Sequence, residues 1–203
     1  MFKIKLTKGG QYARQRLGVK KMEIRELTLA ASAAGLKDVR YYLNSVLITR
    51  EFILGSDGQK LARVMRDDDQ SLPDELDKVI IPIEAVKSFL KKFGKKDDLT
   101  TFEVVKIGAQ YALSAHYGST MEVFEPVDHA YPDFAKAFQK IIAEQGQKEC
   151  LTAYNYEILG GAQKAINAYL SRKGGPVKFV RRDTIGYFQP TNDVIYIVMP
   201  CSI

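Results

Sequence analysis

The sequence predicts an α+β fold with antiparallel sheets on one side and amphipathic helices on the other. One pattern carries most of this. Three times along the chain a short apolar strand leads into an amphipathic helix, and three β-rich segments follow. The helical stretches repeat their apolar residues every three or four positions, whereas the segments between turns are β-branched and aromatic. Composition agrees: 203 residues, 46% hydrophobic and 27% charged, suit a globular chain with one large domain and part of another.

The first unit has "KIKL", a helix near Met22 to Ala34, then "RYYLNSVLIT", "EFILGS" and "KLARVM". The second has "KVIIP", a helix from Ile83 to Phe93, then "TTFEVVKI", "YALSAHY" and "TMEVFEP". The third has "CLTAYN", a helix from Glu157 to Leu170, then "VKFVRR", "TIGYFQ" and "VIYIVMP". Between the last two units "DFAKAFQKIIAEQGQKE" reads as a helical connector. In the second helix Ile83, Val86, Phe89, Leu90 and Phe93 share one face. Pro82 stands at its entrance, where a missing N–H costs nothing, and Gly94 at its exit. In the third helix Ile158, Leu159, Ala162, Ile166 and Tyr169 form the apolar face, and Gly174 and Gly175 close the region. "QSLPDELD" and "SRKGGP" are loops by composition. Such units cannot bury both faces alone, so neighbours should pair into continuous sheets. Three is an odd number, and one unit is expected to lack a mate within the chain.

Several function classes are excluded early. No apolar run approaches the length that spans a bilayer, and "MFKIKLTKGG" lacks a signal-peptide core, so a cytoplasmic protein without a membrane partner is expected. The two cysteines, Cys150 and Cys201, give neither a disulfide framework nor zinc spacing. Cys201 is third from the end, and prenylation needs a cysteine one place earlier. "GSDGQK" lacks the spacing of a phosphate loop and reads as a tight turn between strands. His116 and His129 are isolated, and Arg66 to Asp69 reads as a solvated turn. No nucleophile and base pair off by motif. A non-enzyme without metal or cofactor is expected.

Charge placement says more than the net +6. Lys87, Lys91 and Lys95 make a second stripe on the second helix. Arg14, Arg16, Lys20, Lys21 and Arg25 lie before and within the first, and Lys164, Arg172 and Lys173 attend the third. If the helices share one face, these cations form a surface for phosphates rather than bases. Otherwise they are three separately solvated helix faces. The ending "IYIVMPCSI" is the other oddity, because chain termini are usually polar and frayed whereas this one is apolar and β-branched.

Six stretches, in order, resemble the bacterial DNA polymerase III beta subunit, the sliding clamp. "DVRYYLNSVLI" is similar to a strand of the family's middle domain, with Ser45 where a glycine is usual. "GSDGQKLARV" is similar to the family's "ATDGHRLA" turn, and "QSLPDELDKVIIPIEAVKSFLKK" to the loop, strand and helix after it. "EPVDHAYPDF" resembles "KLVDGRFPDY", "YNYEILGGAQKAI" resembles "FNVSYVLDVL", and "YIVMPCSI" resembles the terminal "YVVMPMRL". The resemblance runs from Met22 to Ile203 and implies a DNA-clamp-like fold of βαβββ units. It implies residues 1–134 as a middle clamp domain and 135–203 as a connector helix plus half of the last domain. The family's first domain and the first half of its last one have no counterpart.

The resemblance also implies functions. Clamps encircle DNA as processivity factors and take linear motifs of polymerases, the clamp loader and repair proteins into a hydrophobic cleft. The matching positions here are Leu43, Ser56, Gly58, Gln59, Lys60 and Leu61 from the first unit, and Pro132, Lys136 and Ala137 from the connector. The chain end supplies Ile197, Val198, Met199, Pro200, Cys201, Ser202 and Ile203. Cys201-Ser202-Ile203 replaces the family's Met-Arg-Leu, and Gln59-Lys60 its His-Arg, so an altered peptide preference is expected. Two readings follow. One is a shortened clamp that binds DNA through its backbone, with a ring of copies built from paired third units. The other is a non-encircling module that sequesters clamp-binding peptides and regulates replication.

Overall fold

The computed structural model describes residues 22–66, 72–73, 75–93, 101–115, 121–134, 138, 153–182 and 185–201. Within them the first unit comprises β1 (Met22–Glu23), α1 (Ile24–Ala33), β2 (Ser45–Thr49), β3 (Phe52–Ser56) and β4 (Lys60–Met65). The second comprises β5 (Lys78–Pro82), α2 (Ile83–Phe93), β6 (Thr101–Ile107), β7 (Gln110–Ala115) and β8 (Met121–Phe124). The third comprises α3 (Tyr156–Tyr169), β9 (Phe179–Arg182), β10 (Ile185–Thr191) and β11 (Val194–Val198). The α+β architecture with antiparallel sheets is therefore present.

The first two units close on each other by exchanging their leading strands. β5 pairs with β2, from Ser45 opposite Pro82 to Thr49 opposite Lys78. β1 in turn pairs with β6, Met22 opposite Phe102. The results are a four-stranded sheet, β1-β6-β7-β8, and a larger one that begins β5-β2-β3-β4. Their shared core holds Leu27, Ile48, Ile53, Ile81, Val86, Phe89 and Phe102. Burial of such side chains, each worth about 1.5–3 kcal/mol, is what binds α1 and α2 to the sheets. Gly55 permits the close approach of α1 to β3, because a Cβ there would lie 2.0 Å from the Ala30 carbonyl oxygen.

The third unit joins differently. β11 lies antiparallel to β4, from Val194 opposite Val64 to Val198 opposite Lys60, and extends the sheet to seven strands in the order β5-β2-β3-β4-β11-β10-β9. β11 is buried along its whole length. Val194, Tyr196 and Val198 pack towards Leu29 and Ala33 of α1 and Ala162 and Ile166 of α3. Ile195 and Ile197 face outwards, into a cluster with Leu47, Leu61 and Ile80 that Val127, Tyr131, Phe134 and Phe138 cover. The apolar ending up to Val198 is thus a core strand. Burial pushes the Tyr196 hydroxyl up to about 12, offset in part by its hydrogen bond with Ser32.

Three expectations shift. The strand entering α1 is Met22–Glu23, at the start of the expected helix, and "KIKL" lies outside the described residues. Glu23 is extended and forms a capping box with Glu26, which is why the helix starts at Ile24. "RYYL" is not strand: Tyr41–Leu43 is one 3₁₀ turn, and β2 begins at Ser45. Of the connector helix only Phe138 with its bond to the Phe134 carbonyl is described. Gly94, His116, Cys150 and Asp67 to Asp69 also lie outside the described residues.

Candidate functional site

Three stretches meet at one end of the β4–β11 pair. The first is the loop from α1 to β2. Gly35 N–H donates to the Leu43 carbonyl at 2.9 Å and more weakly to that of Ser56 at 3.3 Å, which folds the loop back on itself. Asn44 staples its middle: Nδ2 donates to the Asp38 carbonyl and Oδ1 accepts from Asp38 N–H, both at 2.8 Å. Arg40 grips the Asp38 carboxylate with two bonds, of 3.0 and 2.9 Å, and so holds it below the usual carboxylate range.

The same Arg40 reaches the second stretch, the β3–β4 turn, donating to the Asp57 carbonyl at 2.9 Å. The turn is an Asx turn: Asp57 Oδ1 accepts from Gln59 N–H and Lys60 N–H, both at 2.9 Å. Ser56 Oγ, almost wholly buried, accepts from Gly58 N–H and donates to the Lys60 carbonyl. Gly58 sits at φ +86°, and a Cβ there would stand 2.7 Å from the Arg40 guanidinium. Turn geometry therefore favours glycine, and a side chain there would also displace the Arg40 guanidinium.

The third stretch is the chain end beyond β11. Met199 N–H donates to the Gln59 carbonyl at 2.7 Å, and Cys201 N–H to the Ala153 carbonyl at 2.8 Å. The apolar end is thereby fastened at two points, to the turn and to the residues entering α3. Beside it the segment from Val127 runs across the outer sheet face. Tyr131 donates to the Ser45 carbonyl at 3.4 Å, and burial pushes its hydroxyl well above the usual phenol range. Tyr41 stands edge-on to His129, ring centres 4.4 Å apart.

The expected peptide-site residues divide by exposure. Leu43, Ser56, Leu61, Ile197 and Val198 are buried. Gly58, Gln59, Met199 and Cys201 are exposed, and Lys60, Pro132 and Pro200 are half-buried. Lys60 Nζ lies 3.4 Å from an Asp57 carboxylate oxygen, so its charge is partly neutralised. Lys136, Ala137, Ser202 and Ile203 lie outside the described residues. The residues that organise the site were not singled out from sequence: Asp38, Arg40, Asn44 and Tyr131. The first three fall inside the quoted "DVRYYLN" stretch, which was the available signal.

The helices lie side by side, with α1 between α2 and α3 and in contact with both. Lys87 and Lys91 of α2 and Lys164 of α3 are exposed, as are Arg172 and Lys173 in the turn after α3. Arg25 of α1 is half-buried. It pairs with Glu23 and lies over the Tyr169 ring, 5.2 Å from its centre. The exposed residue of α1 is Thr28. Arg14, Arg16, Lys20, Lys21 and Lys95 are outside the described residues. Among the described residues no cluster of three or more His, Cys, Asp or Glu could hold a metal, and no helix is long and apolar enough to cross a membrane.

Strand-exchanged units, with helices on one side and a shared sheet through β4 and β11, define the sliding-clamp fold. Solved structures similar to this chain include bacterial DNA polymerase III beta clamps. The subunit from Pseudomonas aeruginosa matches with a TM-score of 0.63 at 16% identity, over 88% of this chain and 64% of its own. The clamp from Bartonella birtlesii, solved bound to griselimycin, matches at 0.61 and 16%, over 89% and 64%. That from Caulobacter crescentus matches at 0.59 and 15%, over 89% and 63%. The chain therefore spans about 64% of the length of the clamps it matches. No protein-family model matches it, and no curated protein does.

Proposed function

We propose that the chain is a clamp-like replication or repair protein of the cytoplasm that docks linear motifs of polymerases or loader proteins. Residues 1–134 form its middle-type domain and 135–203 its half domain. It acts as a homo-oligomer whose helix face follows the DNA backbone. The observation that carries the docking site is the convergence of the α1–β2 loop, the Asp57–Lys60 turn and Met199 to Cys201 on one edge of the sheet. Met199 is exposed and flexible enough to serve varied apolar anchors, and Lys60 offers a cation to a peptide's polar end.

The test is fluorescence anisotropy with labelled peptides that carry the clamp-binding motif of a bacterial polymerase, with griselimycin as competitor. Met199→Ala should weaken binding by about 1 to a few kcal/mol if it is an anchor. An unchanged affinity would remove Met199 from the site.

The second reading, a module that sequesters such peptides without encircling DNA, is favoured by the middle helix. There Arg25 is engaged and Thr28 is the exposed residue. Charge reversal at Lys87 and Lys91 separates the two readings. A clamp should lose DNA association and show a shallower salt dependence, because two phosphate contacts disappear. A sequestering module should not change.

A further inference from the structure

We propose that a second copy of this chain completes the third unit, two third units closing about a two-fold axis into one whole domain. The proposal rests on the oligomer reading above for its purpose, while its geometry is drawn from the chain itself. Units one and two show what closure requires. Each sheet receives the other unit's leading strand, β5 at the outer edge of β2 and β1 at the outer edge of β6. The first residue of each helix is then buried in the shared core, Ile24 at 5% exposure and Ile83 at 1%.

The third unit has the same helix and three strands and neither of these contacts. Its sheet ends at β9, whose outer edge receives no strand among the described residues. The first residue of α3 is Tyr156, and it is 80% exposed. A large aromatic at the position its two counterparts bury, next to an open sheet edge, marks a face built to be covered. The mate cannot come from the proper place in the chain. Residues 125–155 are too few for a unit that takes residues 22–65 or 78–124 elsewhere. Units one and two are already closed on each other. The complementary unit that is equally open is the third unit of another copy, and a two-fold satisfies both at once. In that arrangement β9 is the acceptor edge, and Tyr156 of each copy enters the common core.

The experiment is the solution mass of the full chain by light scattering across a concentration range, with hydrogen exchange of the β9 amides. The wild type should have the mass of two copies or a multiple of two, with the amides of Phe179–Arg182 protected. Tyr156→Glu should halve the mass and abolish that protection, while β10 and β11 stay protected and peptide affinity is unchanged. Since Tyr156 is exposed in the single chain, the variant should fold. A wild type of single-chain mass overturns the proposal. So does a Tyr156→Glu variant that keeps the oligomer. A wild type with the mass of two copies that does not bind the peptides would instead fault the docking site and leave the interface standing.

Discussion

The first unit meets its two neighbours in different ways. With the second it trades strands and shares a core enclosed by both sheets, so neither is complete without the other. With the third it makes one edge-to-edge strand pair, β4 with β11, backed by α1 against α3. Units of one helix and three strands thus support both closure and extension. Closure goes with a leading strand that enters the other unit's sheet, and among the described residues the third unit has none. Closure should make units one and two a single cooperative block, and extension should leave the third unit separable from them.

The largest effect should come from the shared core. Phe89 is fully buried between Phe93 and Phe102, and Phe89→Ala should cost about 3–5 kcal/mol and lower one common transition for units one and two in calorimetry. Tyr196→Ala, in the extended junction, should cost as much or slightly less, with a different signature. The transition should split, the third unit melting first; a single transition would argue that junction and core are one block. Gly55→Ala forces a Cβ against the Ala30 carbonyl and should cost about 1–3 kcal/mol or more by pushing α1 off β3. Chemical denaturation would measure it.

The smallest effect concerns Glu26, near Arg66 and Tyr169 where the first and third units meet. Burial raises its carboxyl above the usual range against the opposing pull of Arg66, whose Nε is 3.8 Å away. The folded chain then holds this proton more tightly than the unfolded one. Glu26 therefore favours folding at low pH and loses that contribution as pH rises from 4.5 through its folded value. Glu26→Gln should flatten this part of the stability profile in melts between pH 4 and 7 and retain the helix cap. An unaltered profile would place the titration elsewhere.

Much of the closure was legible in sequence, because local periodicity and local turns encode it. α2 runs over the residues that its apolar spacing and Pro82 predict, and Asp57-Gly58 is the turn its composition announces. What was not legible depends on distant partners. β1 is two residues long, and its pairing with Phe102 has no local signature. Tyr41 and Tyr42 favour strands by propensity, yet the bonds of Gly35 and Asn44 wind them into a 3₁₀ turn. The contact of Arg25 with Tyr169 has no local signature either, because Tyr169 lies on another unit. The apolar chain end suggested a cleft wall. Its strand portion proved to be core, and Met199 to Cys201 is the part left at the surface.

The position of β11 also bears on how the molecule is made. It is the last strand in sequence, yet it sits between β4 and β10, and Leu61 waits for Ile197. A pairing so distant carries a large loop-closure cost and forms late. Until it does, β4 presents a bare apolar edge of the kind that recruits strands from other chains. Substitutions that delay β11 without weakening the finished sheet should therefore appear as lost yield and aggregation during refolding, while the melting temperature of the recovered protein is unchanged.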